Sequence, residues 1–124
     1  PDGINYRFNL ATSYGFFGRI DEAEAQYEAM LSLDPGNGRA HLGIAALRRQ
    51  TSERNHVARL DAALGQTDDP VQQLRIHYAA AKEYEDLGDH EAVFGHLSAG
   101  NSAHKRRLGF TIDSESRNFH AIRT

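Results

Sequence analysis

The distribution of apolar and polar side chains along the chain predicts helices and no strand. No stretch of four or more residues alternates cleanly between apolar and polar positions with an enrichment of β-branched residues, as a half-buried strand would. Asp21 and Ser52 are placed to cap two helices, because short polar side chains accept hydrogen bonds from the free N–H groups there. Six helices are predicted, over residues 5–17, 21–33, 39–50, 52–65, 71–87 and 90–108.

The same sequence features recur with a period of 34 to 35 residues. Pro1, Pro35 and Pro70 lie 34 and 35 positions apart. Multiples of this period also separate Tyr14 from Tyr84, Gly18 from Gly88 and Ala23 from Ala92. Self-similarity at such a period is typical of repeat proteins, in which each unit buries its apolar face against its neighbours.

Each unit carries a similar pattern of small and large residues. The first unit reads Arg7-x2-Leu10-Ala11-x2-Tyr14, then Ala23-x3-Tyr27, then Pro35. The third reads Ala80-Ala81-x2-Tyr84, Gly88 and Ala92-x3-His96. The middle unit is weaker, since His41-x2-Ile44-Ala45 fits but Arg48 replaces the tyrosine. Over residues 1–100 this pattern resembles the tetratricopeptide repeat family, although a tryptophan of the family pattern is replaced by Arg7 in the first unit.

The pattern has a physical reason in the packing of paired helices. Small residues such as Ala11 and Ala45 let two helices approach closely, and larger ones such as Tyr27 fill the space beside them. Gly18 and Gly88 are predicted to end first helices in the left-handed conformation. Pro35 and Pro70 are predicted to end second helices, because a residue before proline avoids helical dihedrals.

The predicted fold is all-α, a tetratricopeptide-type right-handed solenoid of three antiparallel helix pairs with a long sixth helix and a short C-terminal helix. The repeat domain spans residues 1–108, with units at about 4–35, 38–70 and 71–104. Residues 109–124 are predicted to form a break and a short helix capped by Ser114, leading to a further domain. Pro1 is expected to be the end of a preceding repeat. Residues 1–4, and Phe119 and Ile122 of the short helix, are expected to pack onto the stack or onto a neighbouring molecule.

A narrower resemblance covers the last repeat. Residues 78–101 include His96-Leu97 and Gly100-Asn101, and Lys105-Arg106-Arg107 follows. This run resembles the last repeat of bacterial tetratricopeptide-containing sulfotransferases. The resemblance implies a downstream domain that transfers sulfuryl groups from the nucleotide donor PAPS. Its phosphate-binding loop does not occur within these residues, so no catalytic residue of that family can be placed here.

Composition narrows the chemistry further. The 124 residues carry a net charge of −3 and no cysteine, which excludes disulfides and thiolate chemistry within them. Seven scattered histidines include no i,i+4 pair for a metal, and no Gly-x-Ser-x-Gly turn is present. We therefore predict no enzyme activity, cofactor, nucleic-acid binding or membrane insertion for this segment, and a cytoplasmic location. The arginines at positions 48, 49, 54 and 59 are expected to be paired with carboxylates, with an anionic partner surface as the alternative.

The resemblance to tetratricopeptide repeats implies a binding groove lined by the first helix of each pair. Its contact positions are Asn5, Phe8, Thr12 and Gly15 in the first unit, Arg39, Leu42, Ala46 and Arg49 in the second, and Arg75, Tyr78, Lys82 and Glu85 in the third. Four of these are cations and one is an acid, so an acidic peptide or protein is the expected partner. The chaperone-type carboxylate clamp is not expected, because Phe8, Thr12, Gly43 and Ala79 stand at its positions.

Three functions remain open at this point. The favoured one is a protein–protein interaction module that binds a partner in the groove. The second is a region that presents substrate to a sulfotransferase domain of the same protein. The third is a spacer or a weakly self-associating element.

Overall fold

The computed structural model describes residues 2–112, and side chains within residues 3–102. Six helices follow one another: α1 (Asp2–Phe16), α2 (Ile20–Leu33), α3 (Gly38–Leu47), α4 (Val57–Leu64), α5 (Pro70–Leu87) and α6 (His90–Ile112). The described residues contain no strand, and an isolated bridge joins Thr51 to Arg54 between α3 and α4. The predicted all-helical repeat fold is confirmed.

The helices pack in a stack, in which α3 lies against α5 as well as against α2. α1 lies against α2, and α5 lies against α6. α3 joins the two pairs, because it packs on α2 on one side and on α5 on the other. α4 packs chiefly on α5. Such nearest-neighbour packing is the architecture expected of a helical solenoid.

Two apolar clusters hold the stack together. The first comprises Ala11 of α1, Tyr27, Met30 and Leu31 of α2, and Ala40 and Ile44 of α3. The second comprises Ala45 of α3, Leu60 and Ala63 of α4, and Ile76, Ala79 and Ala80 of α5. α3 contributes to both clusters, so it couples the packing of the first unit to that of the third.

Glycine ends two of the first helices as predicted. Gly18 and Gly88 have φ angles of 80° and 81°, in the left-handed region that favours glycine. After Gly88, the side chain of Asp89 accepts a hydrogen bond from the Ala92 N–H at 3.1 Å. This bond satisfies one of the free N–H groups at the start of α6.

α3 also approaches α5 closely at its first residue. The N–H of Gly38 donates to Gln72 Oε1 at 2.6 Å, and a Cβ at position 38 would lie 2.6 Å from Cβ of Arg75. A side chain at this position would therefore separate the two helices. Asn37 caps α3, since its side chain accepts from the Ala40 N–H at 3.1 Å.

Several predicted helix boundaries and caps were wrong. α2 begins at Ile20, so Asp21 lies in its first turn and is not its cap. α3 ends at Leu47 and α4 begins at Val57, so Ser52 caps no helix. Pro70 begins α5, where its fixed φ suits the first helical position, and α4 has already ended at Leu64.

The connection 48–56 is not helical because α5 binds its backbone. The Gln50 N–H donates to Asp86 Oδ2 at 3.0 Å, and Lys82 Nζ donates to the Arg48 carbonyl at 2.8 Å. The His56 N–H donates to Oε1 of Glu83 at 2.6 Å. These three contacts replace the bonds that a longer α3 or an earlier α4 would form.

α6 extends further than predicted, passing through Gly109 to Ile112. The predicted passage of the sixth helix beyond Asn101 is confirmed. The short C-terminal helix predicted after Ser114, with Phe119 and Ile122, lies outside the described residues. Among the described helices, none combines the length and the apolar composition needed to cross a membrane.

Candidate protein-binding groove

An apolar recess opens between α1 and α3, with α2 beneath it. Its volume is about 240 Å³, and its walls are almost entirely apolar. It is lined by Phe8 of α1, Tyr27 of α2, and Arg39, Leu42, Gly43 and Ala46 of α3. Four of the predicted groove positions therefore come together here: Phe8, Arg39, Leu42 and Ala46.

Phe8 and Arg39 form the wall that joins the two helices. The guanidinium carbon of Arg39 lies 4.2 Å from the centre of the Phe8 ring, within cation–π distance. Arg39 Nη2 donates to Asn5 Oδ1 at 3.1 Å. The Arg39 side chain is half-buried, so its positive charge is fixed at the rim of the recess.

The floor of the recess depends on a glycine. The Phe8 and Tyr27 rings are 6.3 Å apart and tilted by 57°. Tyr27 itself is buried and lies directly against the backbone of Gly43, where a Cβ would overlap its ring. Tyr27 and Gly43 were missing from the predicted groove, because only contact positions of first helices were assigned to it. The glycine at position 43, inside an apolar helical stretch, is the feature of the sequence that could have indicated this close contact.

Some predicted groove cations are already engaged within the chain. Lys82 binds the carboxylate of Asp86 and the Arg48 carbonyl. Partial burial alone would raise the pKa of Asp86, but hydrogen bonds from Lys82 and from the Gln50 N–H hold that pKa below its ordinary value. Lys82 therefore offers little free positive charge to a ligand.

The remaining predicted residues do not line the recess. Arg49 follows the end of α3 and lines a separate cavity of about 480 Å³ with Tyr84 and Asp89. The hydroxyl of Tyr78 donates to Asn101 Oδ1 at 2.8 Å, which ties it to α6. Thr12 donates to the Phe8 carbonyl at 2.9 Å on an exposed part of α1. The other three members of the predicted set are Gly15, half-buried near Leu47; Arg75, half-buried beside the start of α3; and Glu85, exposed on α5.

Three arginines of the second unit, Arg48, Arg54 and Arg59, are paired with acids of α2, as predicted for the cluster. Arg48 Nη2 lies 2.8 Å from Glu24 Oε1, and Arg54 lies 3.7 Å from the same oxygen. Arg59 binds Glu28 through two bonds of 2.9 and 3.1 Å. Glu24 and Glu28 of α2 are thereby neutralised within the chain.

A group of side chains that could hold a metal ion lies in the same network. Atoms of Glu24, Glu28 and His56 lie within 4.8 Å of one another. Both carboxylates are bound to arginines, and His56 Nδ1 lies 2.9 Å from Glu83 Oε2. A cation would have to displace these guanidinium groups, so the arrangement is better explained as a network of ion pairs.

Comparison with known proteins agrees with the repeat pattern. The family model described as "Tetratricopeptide repeat" matches residues 4–37, which include most of α1 and all of α2. The TPR repeat-containing thioredoxin TTL4 of Arabidopsis thaliana is 28% identical over 104 residues, which make up 80% of this chain and 15% of that protein. No solved structure matches.

These matches show that residues 4–37 are similar to a tetratricopeptide repeat and that the chain is similar to a protein that contains such repeats. The chain spans a small part of the relative's length, and its 124 residues contain no cysteine for thioredoxin chemistry. Neither match supports the resemblance to sulfotransferases.

Proposed function

We propose that this chain binds an extended segment of a partner protein along α1, α3 and α5, with one partner side chain inserted into the recess between α1 and α3. The recess is the observation that carries this proposal. Its walls are apolar, its floor is a buried tyrosine ring, and it opens on the surface formed by first helices. A concave apolar site with few polar groups is the usual form of a binding pocket.

The lining predicts the chemistry of the inserted group. A volume of about 240 Å³ suits one large aliphatic or aromatic side chain. Desolvation of such an anchor in a closely packed pocket typically supplies much of the binding energy of an interface. Phe8 and Leu42 provide the apolar contacts in this arrangement.

The charge around the recess favours a carboxylate beside the anchor. Arg39 is held at the rim, and Arg75 lies next to the start of α3, where it is half-buried. Lys82, by contrast, is already paired with Asp86. The preferred segment therefore combines a large apolar residue with a neighbouring Asp or Glu, and the positive region is narrower than the sequence pattern alone predicts.

Selection from a random peptide library, followed by NMR mapping, tests this function. The 124-residue chain is used as bait, and a selected peptide is titrated into the ¹⁵N-labelled protein. We expect enrichment of peptides with an apolar residue next to an acid, and the largest shift changes at the amides of Phe8, Leu42 and Ala46. Failure to enrich any peptide, or shift changes confined to α4 and α6, would contradict the proposal.

A further inference from the structure

Two histidine side chains meet between α5 and α6. Nδ1 of His77 lies 3.1 Å from Nδ1 of His96, and the His96 side chain is only 17% exposed. The ring centres are 5.3 Å apart. This is close to the largest separation that the distance between the nitrogens allows, so both ring centres and both nitrogens lie nearly on one line. Lone pairs that face each other in this way suit a hydrogen bond, in which one Nδ1–H donates to the other Nδ1. Two ligands of a shared metal ion would instead converge on a point beside that line.

The neighbours of His96 favour one arrangement of the protons. Asp61 Oδ1 of α4 lies 3.8 Å from His96 Nε2, and the Tyr84 ring of α5 stacks on the imidazole at 5.5 Å. A carboxylate on the Nε2 side favours a proton on that nitrogen. Nδ1 of His96 is then the acceptor, and His77 donates its Nδ1–H.

We propose that the His77–His96 pair is a proton-sensitive latch, which holds α6 on α5 at neutral pH and loosens it in mild acid. One added proton leaves the shared hydrogen bond intact, because one charged imidazole can donate to the other, neutral one. A second proton would place an N–H on both facing nitrogens, so the bond would be replaced by repulsion between two like charges.

The charged and titratable groups around the pair do little to offset this repulsion. Asp61 faces it from α4, but its side chain is 57% exposed and its charge is therefore screened by water. Tyr84 faces it from α5 as a neutral ring, since burial together with Asp61 and Asp89 raises the pKa of its hydroxyl. On α6 the facing titratable group is His96 itself.

The direction in which pH changes the stability follows from the pKa of His77. Burial lowers the pKa of His77 below its ordinary value of 6.5, the nearby His96 lowers it further, and Asp61 offsets part of this effect. The unfolded chain therefore binds a proton at this site more readily than the folded chain. The contribution of the pair is fully present above pH 6.5 and is lost as the pH falls below that value towards the folded pKa.

The packing beside the latch leaves no room to absorb the repulsion. A Cβ at Gly100 of α6 would lie 3.0 Å from Cβ of His77 and 3.2 Å from Leu74 Cδ1, so the two helices touch here. Separation of the charges thus requires α6 to shift away from α5 near this contact. The bond between Tyr78 and Asn101 ties the adjoining turn of α6 to α5.

Imidazole NMR on the 124-residue chain tests the latch directly. In the wild-type protein we expect a proton on Nδ1 of His77 and a titration midpoint for His77 below the ordinary value of 6.5. In His96→Asn the midpoint of His77 should rise, because the partner's charge is gone. If His77 titrates at the ordinary value of 6.5 and its midpoint is unaffected by this substitution, the proposal is wrong.

A distance measurement tests whether α6 moves. Because the chain lacks cysteine, spin labels can be placed at Ala25→Cys on α2 and Ser98→Cys on α6, both exposed positions. The distance distribution should broaden between about pH 7.5 and about pH 5, across the range where histidine titrates. His77→Asn keeps a donor at the δ position without titrating and should largely suppress the broadening, whereas the matched change His90→Asn should not. A distribution that does not change with pH in the wild-type background would overturn the latch.

Discussion

The backbone of Gly43 on α3 lies directly against the phenol ring of Tyr27 on α2, so that a Cβ at position 43 would overlap the ring. This contact joins the first and second units, and it also forms the floor of the recess. Glycine is the residue that lets the two helices come this close.

Gly43→Ala should therefore destabilise the fold. Overpacking at such a contact costs about 1–3 kcal/mol, which exceeds the gain in helix propensity of roughly 0.5–1 kcal/mol. Gly95→Ala is the matched control, because a Cβ at this exposed position of α6 meets nothing within 4 Å. It should stabilise by roughly 0.5–1 kcal/mol. Urea denaturation of both variants measures the changes in the free energy of unfolding, which should have opposite signs. Equal changes would contradict the close contact between Gly43 and Tyr27.

Glu83 should matter far more than the neighbouring Glu85. Glu83 is fully buried and accepts bonds from the N–H and from Nδ1 of His56. Its replacement by alanine leaves both groups of the connection 48–56 without a partner and should cost about 2–4 kcal/mol. Glu85→Ala, at an exposed position on the same helix, should change the free energy of unfolding by less than about 0.5 kcal/mol. Similar losses for the two variants in urea denaturation would show that Glu83 does not hold the connection.

Arg75 should influence the rate of partner association. Arg75→Gln should slow association of a selected acidic peptide by about threefold at low salt, with a smaller effect at high salt, because a charge near the recess acts through long-range attraction. Arg19→Gln removes a cation that is already paired with Glu22 and lies in the α1–α2 turn, so it should leave the rate unchanged. Stopped-flow measurements of the association rate at two salt concentrations compare both variants with the wild-type protein. An Arg75→Gln effect independent of salt would argue against steering.

The repeat and most of the core were predicted from the sequence, because the spacing and the size of the side chains determine how paired helices pack. Ala11, Ala23 and Ala45 are buried as expected, and Gly18 adopts its left-handed conformation. The boundaries of α3 and α4 could not be predicted in the same way. They depend on Glu83 and on Asp86 of α5, which bind a connection that lies about one repeat earlier in the chain.

The lining of the recess was predicted in part for a similar reason. Phe8, Arg39 and Leu42 were found because the repeat pattern places them at contact positions. The engagement of Lys82 by Asp86 and by the Arg48 carbonyl is a tertiary contact, and the meeting of His77 with His96 joins different helices. Neither is visible as a spacing along the chain.

The central claim is that the recess between α1 and α3 binds the partner, and a comparison of two matched variants tests it most directly. Ala46 is exposed and lines the recess, whereas Ala25 is exposed on α2 and does not line it. Ala46→Glu would place a carboxylate beside the anchor and oppose an acidic segment, while Ala25→Glu adds the same charge elsewhere. The dissociation constant of a library-selected peptide should rise at least about tenfold for Ala46→Glu, a loss of roughly 1.4 kcal/mol, and stay within about twofold for Ala25→Glu. Equal affinities of the two variants would contradict the claim.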